Sequence, residues 1–324
     1  MTIPRRAALA GALALTSALT MALTVTACSP SGTSNSPSPD GSSHVIKTAM
    51  GDVRVKDHPQ RVVVLDTAEL DSAITLGVKP VGATHADVAS GFLDYLPKDK
   101  LAGIKDVGAM MNPGLESIAA LRPDLILTSK VRHGDKYAEL TKIAPTVMTE
   151  STGYPWKQNF QLHAQALGKV AESKRITDQY GAHVRELTAR LGGPAKAAAL
   201  KVNVVRFVEG ADIRIYGRKN YIATVLADVG LGRPAVVDRA KDGFSYDVSP
   251  ERIDLADADV IFHATYGDPA KSKATRTLGS ALWKGLPAVR AGRVHAVDDQ
   301  LWIQGIGYGA AEAVLRELGG MLPR

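Results

Sequence analysis

Short apolar runs alternate with amphipathic stretches over residues 61–150, and that alternation predicts strands followed by helices. Residues 61–65 (RVVVL) and 125–128 (LILT) are short and almost wholly apolar, as strands buried on both faces are. Residues 81–83 and 146–148 read the same way. Between them, residues 69–76 form a helical pattern ended by Gly77. Residues 115–121 form a second, opened by Asn112 or Pro113. Strands alternating with helices predict a mainly parallel sheet with helices on both faces.

The middle of the chain breaks this rhythm. Residues 156–191 hold no strand pattern and no proline. Ala164, Leu167, Val170 and Ala171, then Ile176, Tyr180, Val184, Leu187 and Leu191, recur at helical spacing, and Gly192-Gly193-Pro194 stops the run. Residues 171–191 alone would span roughly 30 Å as a helix, the dimensions of a strut between two sheet lobes. The alternation then resumes. Residues 201–207, 213–216, 260–263 and 294–297 read as strands, 221–229 as a helix ending near Gly230, and 309–318 as a closing helix. A weak echo links the halves. LESI at 115–118 leads to DLIL at 124–127, and PERI at 250–253 leads to DVIF at 259–262, which places Glu116 and Glu251 at equivalent positions.

The N-terminus changes the picture. Arg5 and Arg6 precede an uncharged, Ala- and Leu-rich stretch to Ala27, the pattern of an export leader. Val25-Thr26-Ala27-Cys28 resembles a bacterial lipobox, which implies that Cys28 receives a diacylglycerol. The export route, general secretory or twin-arginine, stays open. Cys28 is the single cysteine, so no internal disulfide framework or cysteine metal cluster exists. Residues 29–43 are Ser, Gly, Pro and Asn with one Thr and one Asp, a composition that forms a flexible tether. The expected organisation is a leader at 1–27, a tether at 28–44, an α/β lobe at 45–155, a linking helical segment at 156–194 and a second α/β lobe at 195–324. Without Arg5 and Arg6 the chain carries 37 basic against 33 acidic residues, and these are dispersed, so no nucleic-acid partner is expected. No second apolar run approaches the ~20 residues of a membrane span; the expected state is an anchored monomer outside the cytoplasm.

Several segments together carry a family resemblance: residues 59–66 (PQRVVVLD), 76–82 (LGVKPVG), 112–127 (NPGLESIAALRPDLIL), 166–169 (ALGK), 214–217 (RIYG), 225–234 (VLADVGLGRP) and 248–251 (VSPE). From about Val45 onward the chain resembles the substrate-binding lipoproteins of ABC importers for siderophores, haem and cobalamin. The resemblance implies two α/β lobes joined by one long rigid helix, with the ligand in the cleft between them. It implies capture of a ferric siderophore for an ABC permease, with no catalysis and no resident cofactor. It also implies one permease-docking glutamate per lobe, at Glu116 and Glu251; an ordinary helix N-terminal carboxylate would look the same.

A ferric chelate offers oxygen acceptors and no open metal site, so arginine and tyrosine donors and aromatic walls suit it. Aromatic residues make up only 5% of the chain, so their placement is informative. Tyr154 and Trp156 precede the linking helix. Arg214 and Tyr216 alternate on one strand and so share a face. Tyr246, Tyr266 and Trp302 lie in loops or just beyond strands. These seven are the candidate ligand residues, with Met110, Met111 and residues 130–132 as a second choice for the cleft floor. The candidate segments carry few arginines, which favours a neutral or cationic hydroxamate over an anionic ferric citrate. Haem and cobalamin stay as alternatives. Eight scattered histidines with no His-rich loop argue against a free metal ion. No Gly-x-Ser-x-Gly elbow or phosphate loop supports an enzyme. Residues 305–309 (GIGYG) imitate a dinucleotide loop but have no βα unit after them, and read as a turn into the last helix.

Overall fold

The computed structural model describes residues 42–323. The leader, Cys28 and all but the end of the tether lie outside the described residues. Among the described residues no helix is long and apolar enough to cross a membrane.

The first lobe opens with a hairpin the sequence reading passed over, β1 (Ser43–Thr48) against β2 (Gly51–Lys56), so the last two residues assigned to the tether already belong to a strand. Next come β3 (Val62–Val64), α1 (Thr67–Thr75), β4 (Gly82–His85), α2 (Lys98–Leu101), β5 (Lys105–Ala109) and β6 (Asn112–Pro113). Then follow α3 (Leu115–Ala120), β7 (Leu125–Ser129), α4 (Lys130–His133), α5 (Tyr137–Ile143) and β8 (Thr146–Thr149). The sheet order is β6-β5-β4-β3-β7-β8, parallel except at the short β6 edge.

The link contains two helices rather than one. α6 (Trp156–Ala166) ends before Gly168, and α7 (Val170–Arg190) is the 21-residue strut; α8 (Pro194–Ala199) follows it. Gly168 makes the break. Its φ is +66°, and a Cβ there would sit 2.1 Å from the Asp57 carbonyl oxygen, so the chain turns where only glycine fits.

The second lobe has β9 (Val202–Val208), β10 (Ile213–Tyr216), α9 (Tyr221–Asp228), β11 (Ser245–Val248) and β12 (Val260–Tyr266). It continues with α10 (Ala274–Gly279), α11 (Ala281–Lys284), α12 (Pro287–Arg290), β13 (Val294–Ala296) and α13 (Tyr308–Met321). Its sheet order is β11-β10-β9-β12-β13, parallel around β12 and antiparallel at the β10 and β11 edge.

Side-chain alternation along the strands builds three cores. Val63, Leu65 and Ile126 pack with Ile118 and Leu140 on the outer face of the first sheet. Val205, Phe207, Ile213 and Ile215 do the same on the outer face of the second. The opposite faces, with Val62, Val64 and Leu127 in one lobe and Val202, Val204 and Phe262 in the other, share one core with Leu70, Phe160, Tyr180, Tyr308 and Leu318. The two lobes therefore meet on a common helical layer. The last helix belongs to that layer: α13 packs on α1 and α7, not only within residues 195–324.

One buried carboxylate fixes that return. Asp71, on α1, is fully buried. It accepts the Gly309 and Ala310 N–H groups at 3.0 Å each, the Tyr95 hydroxyl at 2.8 Å and the Thr75 hydroxyl at 3.2 Å. It thus caps the N-terminus of α13, where unpaired N–H groups favour an anion. Burial pushes its pKa up and the donors pull against that shift. Gly307 permits the approach: its φ is +151°, and a Cβ would lie 2.1 Å from Asp71 Oδ1. The GIGYG segment thus serves a close backbone approach. Asp71→Ala strands two buried N–H groups and two hydroxyls, and is expected to cost about 2–4 kcal/mol in urea unfolding.

Candidate functional site

A cavity of about 400 Å³ lies where the carboxyl ends of strands from both sheets face each other. In open α/β sheets this is where ligands bind. The first lobe supplies Thr67 at the start of α1, Met110 after β5, Arg132 on α4 and residues 151–154 after β8. The second supplies Arg206 from β9, Tyr216 from β10, residues 219–222 at the start of α9, and Phe244 before β11. Trp302, Ile303, Gln304 and Ile306, just ahead of α13, complete the wall.

Capping residues set two of these edges. Asp66 caps α1, its Oδ1 accepting the Thr67 N–H at 2.6 Å, and its Oδ2 accepts the Arg132 Nε–H at 2.9 Å. Asn220 caps α9 through the Ala223 N–H at 2.9 Å. Opposite Arg132, the Arg206 guanidinium makes two bonds of 2.6 Å to Asp299 and lies 4.8 Å from the Tyr266 ring centroid. Asp299 also accepts Gln304 Nε2–H at 2.9 Å. Lys219 is exposed at the mouth and forms no ion pair among the described residues. Burial pushes the Tyr216 hydroxyl pKa up, against the Arg206 and Arg214 charges beside it, so it remains a neutral donor. Among the described residues the wall thus carries Arg132, Arg206 and Lys219 and no carboxylate.

The structure brings three of the seven candidate residues to this wall. Tyr154 stands 51% exposed at the mouth; Tyr216 and Trp302 are buried within it. Arg214 sits beside them, opposite Arg206 across the β9–β10 pair, 3.6 Å from Asp247 and 5.6 Å from the Phe244 ring centroid. The other three lie elsewhere. Trp156 is 2% exposed and packs edge-on against Tyr180, Tyr221 and Tyr308, with its N–H donated to Thr224 at 2.6 Å. Tyr246 pairs with Ile215 on the outer face of the second sheet. Tyr266 lines a neighbouring cavity of about 420 Å³, and its hydroxyl donates to Asp87 across the lobes at 2.9 Å. Of the second choices, Met110 and Arg132 line the wall, Met111 is exposed beside Arg132, and Lys130 pairs with Glu150. Glu116 and Glu251 are both exposed in the first turn of a short helix, α3 and a 3-10 turn at Pro250–Ala256.

The sequence reading missed Arg206, Lys219, Phe244 and Gln304. For Arg206 a signal existed: it is the one charge in a strand that is apolar apart from Asn203, on the face of Val202 and Val204. Nothing local marked the other three. Two arginines far apart in sequence, Arg132 and Arg206, converge on the wall, where the candidate segments offered few. Among the described residues no three His, Cys, Asp or Glu side chains form a group that could hold a metal ion. The wall can donate hydrogen bonds to an oxygen-rich anion and stack against its flat parts.

Comparisons with known proteins agree with this architecture. A family model described as periplasmic binding protein matches residues 62–301. The probable siderophore-binding lipoprotein YfiY of Bacillus subtilis (strain 168) is 36% identical over 307 residues, 91% of this chain and 93% of that protein. The Fe(3+)-citrate-binding protein YfmC of the same organism is 29% identical over 315 residues, 94% of this chain and 95% of that protein. Among solved structures, Staphylococcus aureus SirA complexed with staphyloferrin B superposes with a TM-score of 0.77. It is 33% identical, over 86% of this chain and 98% of that one.

Trp156 and Tyr154 are close in sequence but differ in burial, and the difference is measurable. Trp156→Ala is expected to cost about 3–5 kcal/mol in urea unfolding, as core aromatic truncations do. Tyr154→Ala should stay within about 0.5 kcal/mol of the parent.

Proposed function

The chain belongs to the periplasmic binding protein family, and we propose that it captures a ferric siderophore of anionic, oxygen-rich type and delivers it to an ABC permease. The observation that carries this is the cavity wall, with Arg132, Arg206 and Lys219 on it and no carboxylate. Such a wall disfavours a cationic hydroxamate complex and suits carboxylate or catecholate oxygens, to which guanidinium groups donate in pairs. The Fe(3+)-citrate-binding relative points the same way. The protein acts as a binding module, not an enzyme. Held by lipid on Cys28 and tethered outside the cytoplasm, it would present Glu116 and Glu251 to the permease while the cavity holds the chelate.

The test is a titration of the full chain, purified in detergent, with ferric citrate, ferric desferrioxamine, haemin, cobalamin and zinc. Tryptophan fluorescence reports binding, because Trp302 lies in the wall. Saturable, salt-weakened quenching by ferric citrate, stronger than by ferric desferrioxamine, supports the reading; saturation by haemin or zinc alone overturns it. Arg132→Ala, which leaves Asp66 buried and unpaired, is expected to weaken ferric citrate binding at least tenfold, in line with losses of about 2–5 kcal/mol for such truncations.

The docking role makes a separate prediction. The double variant Glu116→Ala, Glu251→Ala should bind ferric citrate with unchanged affinity, since both carboxylates are remote from the wall, yet reduce iron uptake by cells that depend on this protein.

A further inference from the structure

The cations on the wall are not three free charges. Arg132 is backed by Asp66, whose side chain is fully buried, and Arg206 by Asp299, which is 7% exposed. Arg214, beside the wall, is partnered by Asp247. Among the described residues, Lys219 alone of these has no counter-charge. Asp299 has the most connected position. Both its oxygens hold Arg206, and one also holds Gln304, so it fixes two wall residues from the side of the neighbouring cavity that it lines itself. Gln304 lines both cavities, and its carbonyl accepts the Thr67 hydroxyl from the other lobe at 3.2 Å.

We propose that Asp299 is a positioning residue that sets the ligand charge this site accepts. It aims the Arg206 donors while cancelling most of the Arg206 field. The site then selects a chelate mainly by its acceptor oxygens, and favours net negative charge less than three free cations would. The distances explain why the carboxylate is effective. Asp299 sits directly behind the guanidinium in a poorly hydrated setting, where one charge shifts a neighbouring ion's free energy far more than at an open surface. The proposal rests on the reading of this cavity as a chelate site.

The experiment measures the affinity ratio of ferric citrate to ferric desferrioxamine in the parent, in Asp299→Asn, in Arg206→Gln and in the double variant, with circular dichroism to verify folding. Asp299→Asn keeps the shape and removes the charge. The ratio should rise at least about tenfold, with a steeper salt dependence for ferric citrate. Arg206→Gln lowers the ratio by loss of a wall cation whatever Asp299 does, so the second test is the double variant Arg206→Gln, Asp299→Asn, which leaves no charge unpaired: its ratio should stand at least about tenfold above that of Arg206→Gln. A purely structural role for Asp299 would weaken both chelates alike and leave the ratio unchanged, and that result overturns the proposal. Absence of saturable binding of either chelate to the parent overturns the function above, and this inference with it.

Discussion

The Asp71 carboxylate at the head of α13 is the contact on which the rest of the geometry depends. A carboxylate removed from water costs several kcal/mol unless donors replace its hydration. Here two backbone N–H groups and two hydroxyls do so. The contact ties α1, which opens the first lobe, to the helix that closes the chain. It also places the cavity from both directions. Asp66 and Thr67 lie about one turn before Asp71 on α1, and residues 302–306 immediately precede α13, so anchoring the two helices positions wall residues of both lobes.

What this frame holds in place is a set of donors, and the way they are held explains why arginine is used. A guanidinium with a carboxylate on one edge keeps its remaining N–H groups in fixed directions, so little rotamer entropy is lost when a ligand arrives. Arg132 and Arg206 are both arranged this way, one from each lobe, on opposite sides of the cavity. Lysine would not provide this, and the one lysine among the described wall residues stands at the exposed mouth.

Most of the fold was legible in the sequence, because buried strands and amphipathic helices leave periodic marks. The strands at 61–65, 125–128 and 201–207 were found to within a residue or two. The misses have physical causes. The β1–β2 hairpin lies in a polar stretch next to the tether, with only Ile46, Val53 and Val55 buried. The break at Gly168 arises from a close contact with Asp57, more than a hundred residues away, which no local pattern records. The cavity was less legible still. Tyr154, Tyr216 and Trp302 were reachable because aromatics are scarce. Trp156 carried the same mark and was taken up by packing, and Arg206 became part of the wall only when β9 and β12 aligned in space. Composition along the chain therefore underestimated the charge of a site assembled from distant strands.

The strengths of the contacts between lobes decide how the cleft can move. Beside the cavity a few hydrogen bonds cross between the lobes: Tyr266 to Asp87, two between Gln300 and Asp94, and Thr67 to Gln304. Each is worth only about 1 kcal/mol net, since water replaces it when broken. On the opposite side, the helical layer holds Trp156, Phe160, Tyr180, Tyr221 and Tyr308 in edge-to-face contact at centroid distances of 4.6–6.0 Å. Exposing any one of these rings costs about 1.5–3 kcal/mol, and separating the layer exposes several together. Opening is thus cheap at the mouth and prohibitive at the layer. The contacts therefore hold the lobes together far more strongly at the helical layer than beside the cavity, whose exposed rim is formed by Tyr154, Lys219 and Phe244.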